Sequence, residues 1–451
     1  MQTIEFMKQN SYVFFLALVA ALGGFLFGFD TAVISGAERY IQNIWELSDL
    51  MHGLAIAIAL YGTVLGAIVV GYPANKYGRK PLLIAIGILY TVSALGSALA
   101  WDVNSFMLFR FLGGIGVGAS SVVAPMYISE IAPAKNRGML VALFQFNLVF
   151  GILMAYVSNY FIEIAAVTES WRWMLGVEVL PAVIYTLLSL RVPESPRWLI
   201  NERNDYDKAR SILGKTDPEG VDKAISLAIE EAKKEKSKTS FTELFKKRYL
   251  RITFMAILIA FFNQLSGINA IIYFAPRIFE MANISAENSL LSTMGVGVIN
   301  LIFTMVGLSL IDKFGRKKLL YIGCIGYIIS LALMSISFLG DSIPTSILPF
   351  FVFLFIASHA IGSGSIIWAF ISEIFPNSIR SYGQSIGSLT HWVFAAIIAN
   401  VFPFFANTFG ASSIFLFFCG MMVLQLIWAI FIMPETKGKA LEDIDQEIIE
   451  H

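Results

Sequence analysis

The chain has 451 residues, of which 57% are hydrophobic and only 14% are charged, against roughly 25% charged residues in an ordinary soluble domain. Its mean hydropathy is +0.71, its net charge is zero and its pI is about 6.9, which argues against both a nucleic-acid binder and a soluble globule. So much apolar surface needs lipid as its solvent.

The first apolar stretch, near 12–36, is too long for a signal-peptide core and lacks a small-residue cleavage pattern, so it reads as a retained span. Further apolar runs of span length lie near 52–73, 81–101, 103–127, 138–161 and 172–192. A polar stretch over 193–249 follows, in which 206–213 and 221–236 have helical spacing and mixed charge, as short surface helices do. Six more runs lie near 250–280, 289–311, 319–339, 346–371, 381–405 and 411–433. The expectation is an all-α membrane protein of twelve transmembrane helices in two six-helix bundles, residues 1–192 and 250–433. Between them sits a cytoplasmic helical domain, 193–249, and a cytoplasmic tail, 434–451, ends the chain soon after Ile448. Cys324 and Cys419 sit inside apolar runs and read as small core residues.

The short loops give an orientation. Lys76, Arg79, Lys80, Lys135, Arg137, Lys313, Arg316, Lys317, Lys318 and Arg380 follow the even-numbered spans. The opposite loops carry Glu38, Asp49, Asp102, Glu163, Glu169, Glu280, Glu287 and Asp341, with Arg39, Arg172 and Arg277 as their basic residues. The positive-inside rule then places the central stretch and both termini in the cytoplasm, in a plasma membrane of bacterial inner-membrane type.

Three motifs occur twice, in one order, offset by about 240 residues, as repeated halves require. Gly71-Tyr-Pro-Ala-Asn-Lys-Tyr-Gly-Arg-Lys80 returns as Gly307-Leu-Ser-Leu-Ile-Asp-Lys-Phe-Gly-Arg316-Lys317. Ser129-Glu130-Ile-Ala-Pro133 with Arg137 returns as Ser372-Glu373-Ile-Phe-Pro376 with Arg380, and Pro193-Glu194-Ser195 returns as Pro434-Glu435-Thr436. Two halves repeated in one orientation put a pseudo-two-fold axis along the membrane normal and a solute cavity at midplane, which is a carrier layout. Each half gathers charge at inner span ends: Arg79, Glu130, Arg137, Glu194 and Arg197 in one, Asp312, Arg316, Glu373, Arg380 and Glu435 in the other. As ion-pair networks these residues could latch the cytoplasmic side; as single charges they are topology markers.

These motifs, with Arg110, Gly113-Gly-Ile-Gly-Val-Gly118, Pro193-Glu-Ser-Pro-Arg-Trp198, Gln264-Leu-Ser-Gly-Ile-Asn269 and Pro434-Glu-Thr-Lys-Gly438, resemble the sugar porter branch of the major facilitator superfamily from end to end. The resemblance implies monosaccharides or similar polyols as substrates. It implies Gln145, Gln264, Asn269, Asn300 and Trp368 as sugar ligands, with Phe27, Tyr273 and Trp392 lining or gating the cavity. Amides that both donate and accept, beside an aromatic wall, are what a pyranose needs. The reading of each amide by itself is an interhelical hydrogen bond.

This chain departs from the family at Asn263, where a glutamine is usual, and at Ala360, where facilitative members often carry an acid. His359 takes a commonly aromatic position, and His391 precedes Trp392 where asparagine is common. Both imidazoles stand as candidate sugar contacts or as hydrogen-bonded packing.

Ionisable residues inside spans are functional candidates, and three stand out: Asp30, Arg110 and Glu178. By resemblance to bacterial proton–xylose symporters they form the proton-coupling set; the alternative is a static buried salt bridge. The expected function is proton-coupled uptake of a pentose or hexose by a functional monomer in a lipid bilayer, with no cofactor. A facilitative uniporter is the nearest alternative and a non-transporting sensor a more distant one. An enzyme is not expected, because no nucleophile–base constellation or metal set accompanies the polar span residues. The Gly113–Gly118 run lies in an apolar helix, so it suits close helix packing rather than a nucleotide.

Overall fold

The computed structural model describes residues 11–437, apart from 219, 223, 224, 227–239, 340–342, 377 and 378. The candidate helix over 221–236 therefore lies almost entirely outside the described residues, as do Asp341 and the tail beyond 437. Among the described residues the regular structure is helical, the form in which a chain in lipid satisfies its backbone polar groups locally.

Eleven helices among the described residues are long and apolar enough to cross a membrane. Spans one to five are Ser11–Ile44, Asp49–Val69, Arg79–Ala98, Val103–Ile131 and Arg137–Ile164, and span six is Ser170–Ser189. Spans seven to ten are Lys247–Met281, Ala286–Phe314, Arg316–Ser337 and Thr345–Glu373. The last helix, Arg380–Phe431, has 52 residues. At about 1.5 Å per residue it would run near 78 Å, more than twice the ~30 Å hydrocarbon core. It is two spans, eleven and twelve, divided at Gly410 by non-helical backbone (φ 78°, ψ 155°). All twelve apolar runs thus lie on helices.

Three other spans are broken inside the apolar layer. Span six parts at Glu178, between Ser170–Gly176 and Val179–Ser189. Span seven parts at Gly267 (φ 87°), between Lys247–Leu265 and Ile268–Met281. Span ten parts at Gly362, between Leu348–Ile361 and Ser363–Glu373. Broken helices expose backbone and bring side chains from two half-helices to one depth, which is tolerated in a membrane only where the break is buried in protein or lines a cavity.

The chain divides into two compact units that do not follow chain order. The first comprises residues 1–31, 61–155 and 172–238; the second comprises 32–60, 156–171 and 239–451. In the first, spans two and four pack backbone to backbone: a Cβ added at Gly118 would lie 2.2 Å from the Thr63 carbonyl oxygen, so the Gly-rich run does serve close helix packing. The central stretch has a small core of its own, in which Trp198, Leu199 and Ile200 pack on Ala209, Ile212 and Leu213. The helix expected over 206–213 is observed as Tyr206–Thr216, with the Asp205 carboxylate capping it at Lys208 N. In the second unit, a core of Ile252, Met255, Ile259, Phe370, Phe375 and Trp428 braces the half-helices around the breaks of spans seven and ten.

Candidate functional site

The break in span seven builds a chain of amides in the second unit. It sets Gln264 at the end of one half-helix and Asn269 at the start of the next. Asn269 Nδ2 donates to Gln264 Oε1 at 2.6 Å. Gln264 Nε2 in turn donates to Asn263 Oδ1 at 3.0 Å and reaches the His391 ring nitrogens at 3.1 Å. Both hydrogens of the Gln264 amide are therefore directed at protein partners. Asn263, the shorter residue where a glutamine is usual, is one of them.

His391 is held between two indoles. Its ring centroid is 5.0 Å from that of Trp368 and 4.7 Å from that of Trp392, the latter at an interplanar angle of 85°. Trp368 keeps 40% of its surface exposed, whereas Trp392 is buried. An imidazole with two indoles, beside three linked amides, presents an aromatic wall and a set of donors and acceptors at one place. His359 interacts electrostatically with His391 but is bonded to a different partner, with its Nδ1 2.5 Å from the Tyr327 hydroxyl. Asn300 accepts from the Thr304 hydroxyl at 3.3 Å, one helical turn away on the same span. Tyr273 is buried on the second half of span seven. Phe27 and Gln145 belong to the first unit, on spans one and five, with Phe27 buried and Gln145 partly so.

In the first unit, Arg110 Nη1 donates to Asp30 Oδ1 at 2.5 Å and Nη2 to the Asp30 carbonyl at 3.1 Å. Glu178, at the break of span six, interacts with both. All three are buried. One guanidinium thus faces two carboxyl groups, and the set is electrically neutral only when it also holds one proton. In a low-dielectric interior neutrality is strongly favoured.

The repeated motifs form two copies of one arrangement, each inside its own unit. Arg79 Nη2 meets Glu130 Oε1 at 2.8 Å, and Arg316 Nη2 meets Glu373 Oε1 at 2.6 Å. Glu194 accepts from the backbone N–H of Arg79 at 2.8 Å, and Glu435 from that of Arg316 at 2.9 Å. Lys80 N and Lys317 N add a second donor to each carboxylate. The Pro-Glu-Ser and Pro-Glu-Thr acids therefore cap the N-termini of spans three and nine from a distant part of the chain, satisfying N–H groups the helices leave open. This role was not visible in the spacing. Gly78 (φ 98°) and Gly315 (φ 86°) make the turns, and a Cβ there would lie 2.3 Å from Glu194 Oε2 or 2.5 Å from Glu435 Oε2. Arg316 also reaches Asp312 at 3.2 Å, while Thr436 donates to Glu373 at 2.6 Å. Arg197 lines a cleft with Arg79, Glu130 and Glu202. Arg380 donates to the Phe375 carbonyl at 3.3 Å, and among the described residues no ion pair joins Arg137 or Arg380 to a carboxylate.

A further charged group comprises Glu38, Arg39, Arg277 and Glu280, which hydropathy alone places in loops. Span one continues as helix to Ile44 and span seven to Met281, so all four are helical. The signal was available: Glu38 and Gln42 keep a four-residue spacing beyond the apolar run.

The family model for sugar (and other) transporters matches residues 16–448. The chain belongs to the sugar transporter family. It is 36% identical over 440 residues to the arabinose-proton symporter of Bacillus subtilis, covering 96% of this chain and 95% of that one. It is 33% identical to the D-xylose-proton symporter of Escherichia coli, covering 97% and 96%. It is 36% identical to the glucose transport protein of a Synechocystis species, covering 96% and 97%. Among solved structures, the inward open xylose transporter from E. coli matches with a TM-score of 0.85 at 32% identity, over 97% of this chain and all of that one. As a sugar transporter the chain is a multi-pass membrane carrier of the major facilitator fold and not an enzyme.

Proposed function

We propose that this sugar transporter couples inward movement of a proton to uptake of a pentose or hexose, alternating access to one site. The observation that carries the reading is the buried set of Asp30, Arg110 and Glu178, whose charge closes to zero with one added proton. A proton on Asp30 weakens its hold on Arg110 and lets the first unit change shape; loss of that proton restores the grip. The sugar is held by Gln264, Asn263, Asn269 and His391 against Trp368 and Trp392, with Asn300, Tyr273 and His359 completing or flanking the site; in the first unit, Gln145 and Phe27 are the candidate sugar contacts. Binding exchanges the amide bonds of the empty site for bonds to sugar hydroxyls, so affinity depends on sugar geometry rather than on gross burial. The paired turns around Arg79 and Arg316 act as the cytoplasmic gate. Both termini face the cytoplasm of a bacterial inner membrane, and the working unit is a monomer.

A facilitative uniporter is the second reading. It is favoured by the double hold of Arg110 on the carboxylate and carbonyl of Asp30, which equally suits a static salt bridge. Uptake of labelled xylose, arabinose and glucose into proteoliposomes, with and without an inward proton gradient, separates the two. Accumulation above equilibrium that needs the gradient supports symport; equal equilibration without it establishes the uniporter.

A further inference from the structure

At the end of span one away from the Gly78 and Gly315 turns, a carboxylate, a guanidinium and an imidazole are buried together. Glu38 is 1% exposed and His52 wholly buried. Arg277 Nε donates to Glu38 Oε1 at 3.1 Å, and His52 Nε2 bonds to the Glu38 carbonyl oxygen at 3.1 Å while lying 2.9 Å from Oε2. Arg277 also donates to Gln42 Oε1, and Arg39 pairs with Glu280. The His52 ring packs edge-on against Phe274 at 5.9 Å. Nearby, Gly53 meets the backbone of Asn400 so closely that an added Cβ would lie 1.8 Å from its carbonyl oxygen. All of these residues belong to the second unit, so they fasten residues 32–60, from the first half of the chain, to residues 239–451.

A buried carboxylate is stable only while its donors stay in place, and removing one partner of such a pair is far more disruptive than breaking a surface pair. The donor here sits on a functional segment. The half-helix Ile268–Met281 carries Asn269, Tyr273 and Arg277 at four-residue spacing, about 12 Å from first to last. It is bent between them, with Pro276 in the helix and non-helical backbone at Phe274 (φ −117°, ψ 19°). Its near end contributes an amide to the candidate sugar site, and its far end is tied to span one.

We propose that Glu38 and Arg277, with His52 packed beside Glu38 and bonded to its backbone carbonyl, are a positioning pair for transport. The pair holds the Ile268–Met281 half-helix against the end of span one and seals the sugar site on the face away from the Gly78 and Gly315 turns. It breaks each time the site opens to that face. The proposal rests on the transporter reading above. Weakening the pair raises the population open to that face, so apparent affinity for sugar presented there rises while turnover falls, because resealing becomes the costly step.

The test places a thiol behind the seal. Ser35, buried one turn before Glu38, is replaced by Cys, and labelling of that position by a membrane-impermeant maleimide is read by peptide mass, apart from Cys324 and Cys419. Glu38→Gln and Arg277→Gln are each expected to label about tenfold faster than the parent, and to lower KM and kcat together, because one lost partner of a buried pair shifts the equilibrium by at least that much. The charge-swapped double variant, Glu38→Arg with Arg277→Glu, is expected to reverse at least half of the gain. If the neutral variants fail to fold, Arg277→Lys carries the test, with intermediate labelling expected. Parental labelling and KM in the single variants, or a swap no better than either, overturns the proposal. Labelling needs no sugar, so failure of the transport reading, seen as no uptake of any sugar by the wild type, is registered separately.

Discussion

Arg110 grips Asp30 twice, at its carboxylate at 2.5 Å and at its backbone carbonyl at 3.1 Å, so the guanidinium is tied to span one as well as to a titratable group. The second bond survives protonation of the carboxyl. Arg110 can therefore stay beside span one while its charge is shared between Asp30 and Glu178.

Charge counting gives the first prediction. Asp30→Asn leaves Arg110 with Glu178 alone, and Glu178→Gln leaves it with Asp30 alone; either set is neutral without a proton. Both variants are expected to lose gradient-driven accumulation while retaining sugar exchange between two sides at equal pH. A static salt bridge predicts otherwise: Asp30→Asn then lowers stability, by up to about 3–5 kcal/mol for a broken buried pair, with gradient dependence intact. Proteoliposome uptake and thermal unfolding in detergent, done on the same samples, distinguish the outcomes.

His391 gives a second. His391→Phe keeps an aromatic ring between Trp368 and Trp392 but removes the nitrogen near Gln264 Nε2, leaving one amide hydrogen without its partner. A missing partner for a buried polar group costs about 1–3 kcal/mol. If sugar supplies the replacement acceptor, that cost is relieved on binding and KM falls, by roughly 5-fold or more. His391→Asn keeps a polar partner and loses the ring, so KM is expected to rise. Identical effects from both variants would mean that His391 only fills space. Uptake kinetics over a sugar panel provide the measurement.

The third concerns Gln264 itself. Gln264→Ala removes the link between Asn269, Asn263 and His391, and three polar groups lose a partner at once. KM for every transported sugar is expected to rise at least tenfold, or about 1.4 kcal/mol. Asn300→Ala removes a residue bonded within its own span to Thr304, and its expected effect is smaller. An equal or larger effect at Asn300 would move the centre of the site toward span eight.

The spans and repeats were legible in the sequence because their causes are local. Twenty apolar residues in a row have few alternatives to a membrane helix, and the division at Gly410 follows because no single helix of 52 residues fits one bilayer. Arg79 with Glu130 could be guessed because the same charges return as Arg316 with Glu373. What remained hidden depends on partners far away in the chain. Nothing near Glu194 announces that it will cap span three, more than a hundred residues earlier, since a carboxylate seeking open N–H groups leaves no periodic trace. Glu38 and Arg277 looked like loop charges because hydropathy ends where helices do not. Spacing alone does not distinguish His359 from His391, whereas the fold gives them different partners, Tyr327 for one and Gln264 for the other.

The distant caps supply the last prediction. At Gly78 the backbone has φ 98°, and an added methyl would lie 2.3 Å from Glu194 Oε2; at Gly315 the values are 86° and 2.5 Å from Glu435 Oε2. Gly78→Ala and Gly315→Ala each force a side chain onto extended backbone of positive φ that is essentially reserved for glycine, costing about 1–3 kcal/mol, and push away the carboxylate that caps the following span. Glu194→Gln keeps the shape and an acceptor oxygen but weakens the cap, because charge-assisted bonds to a helix N-terminus are the stronger kind. Melting in detergent is expected to rank wild type above Glu194→Gln, and Glu194→Gln above Gly78→Ala, with the same order for Glu435→Gln and Gly315→Ala. Because the two turns share one geometry, the two series are expected to agree to within about 1 kcal/mol. A glycine variant that melts like the wild type would show that the carboxylate moves aside freely. The Pro-Glu-Ser and Pro-Glu-Thr motifs would then need a role other than capping.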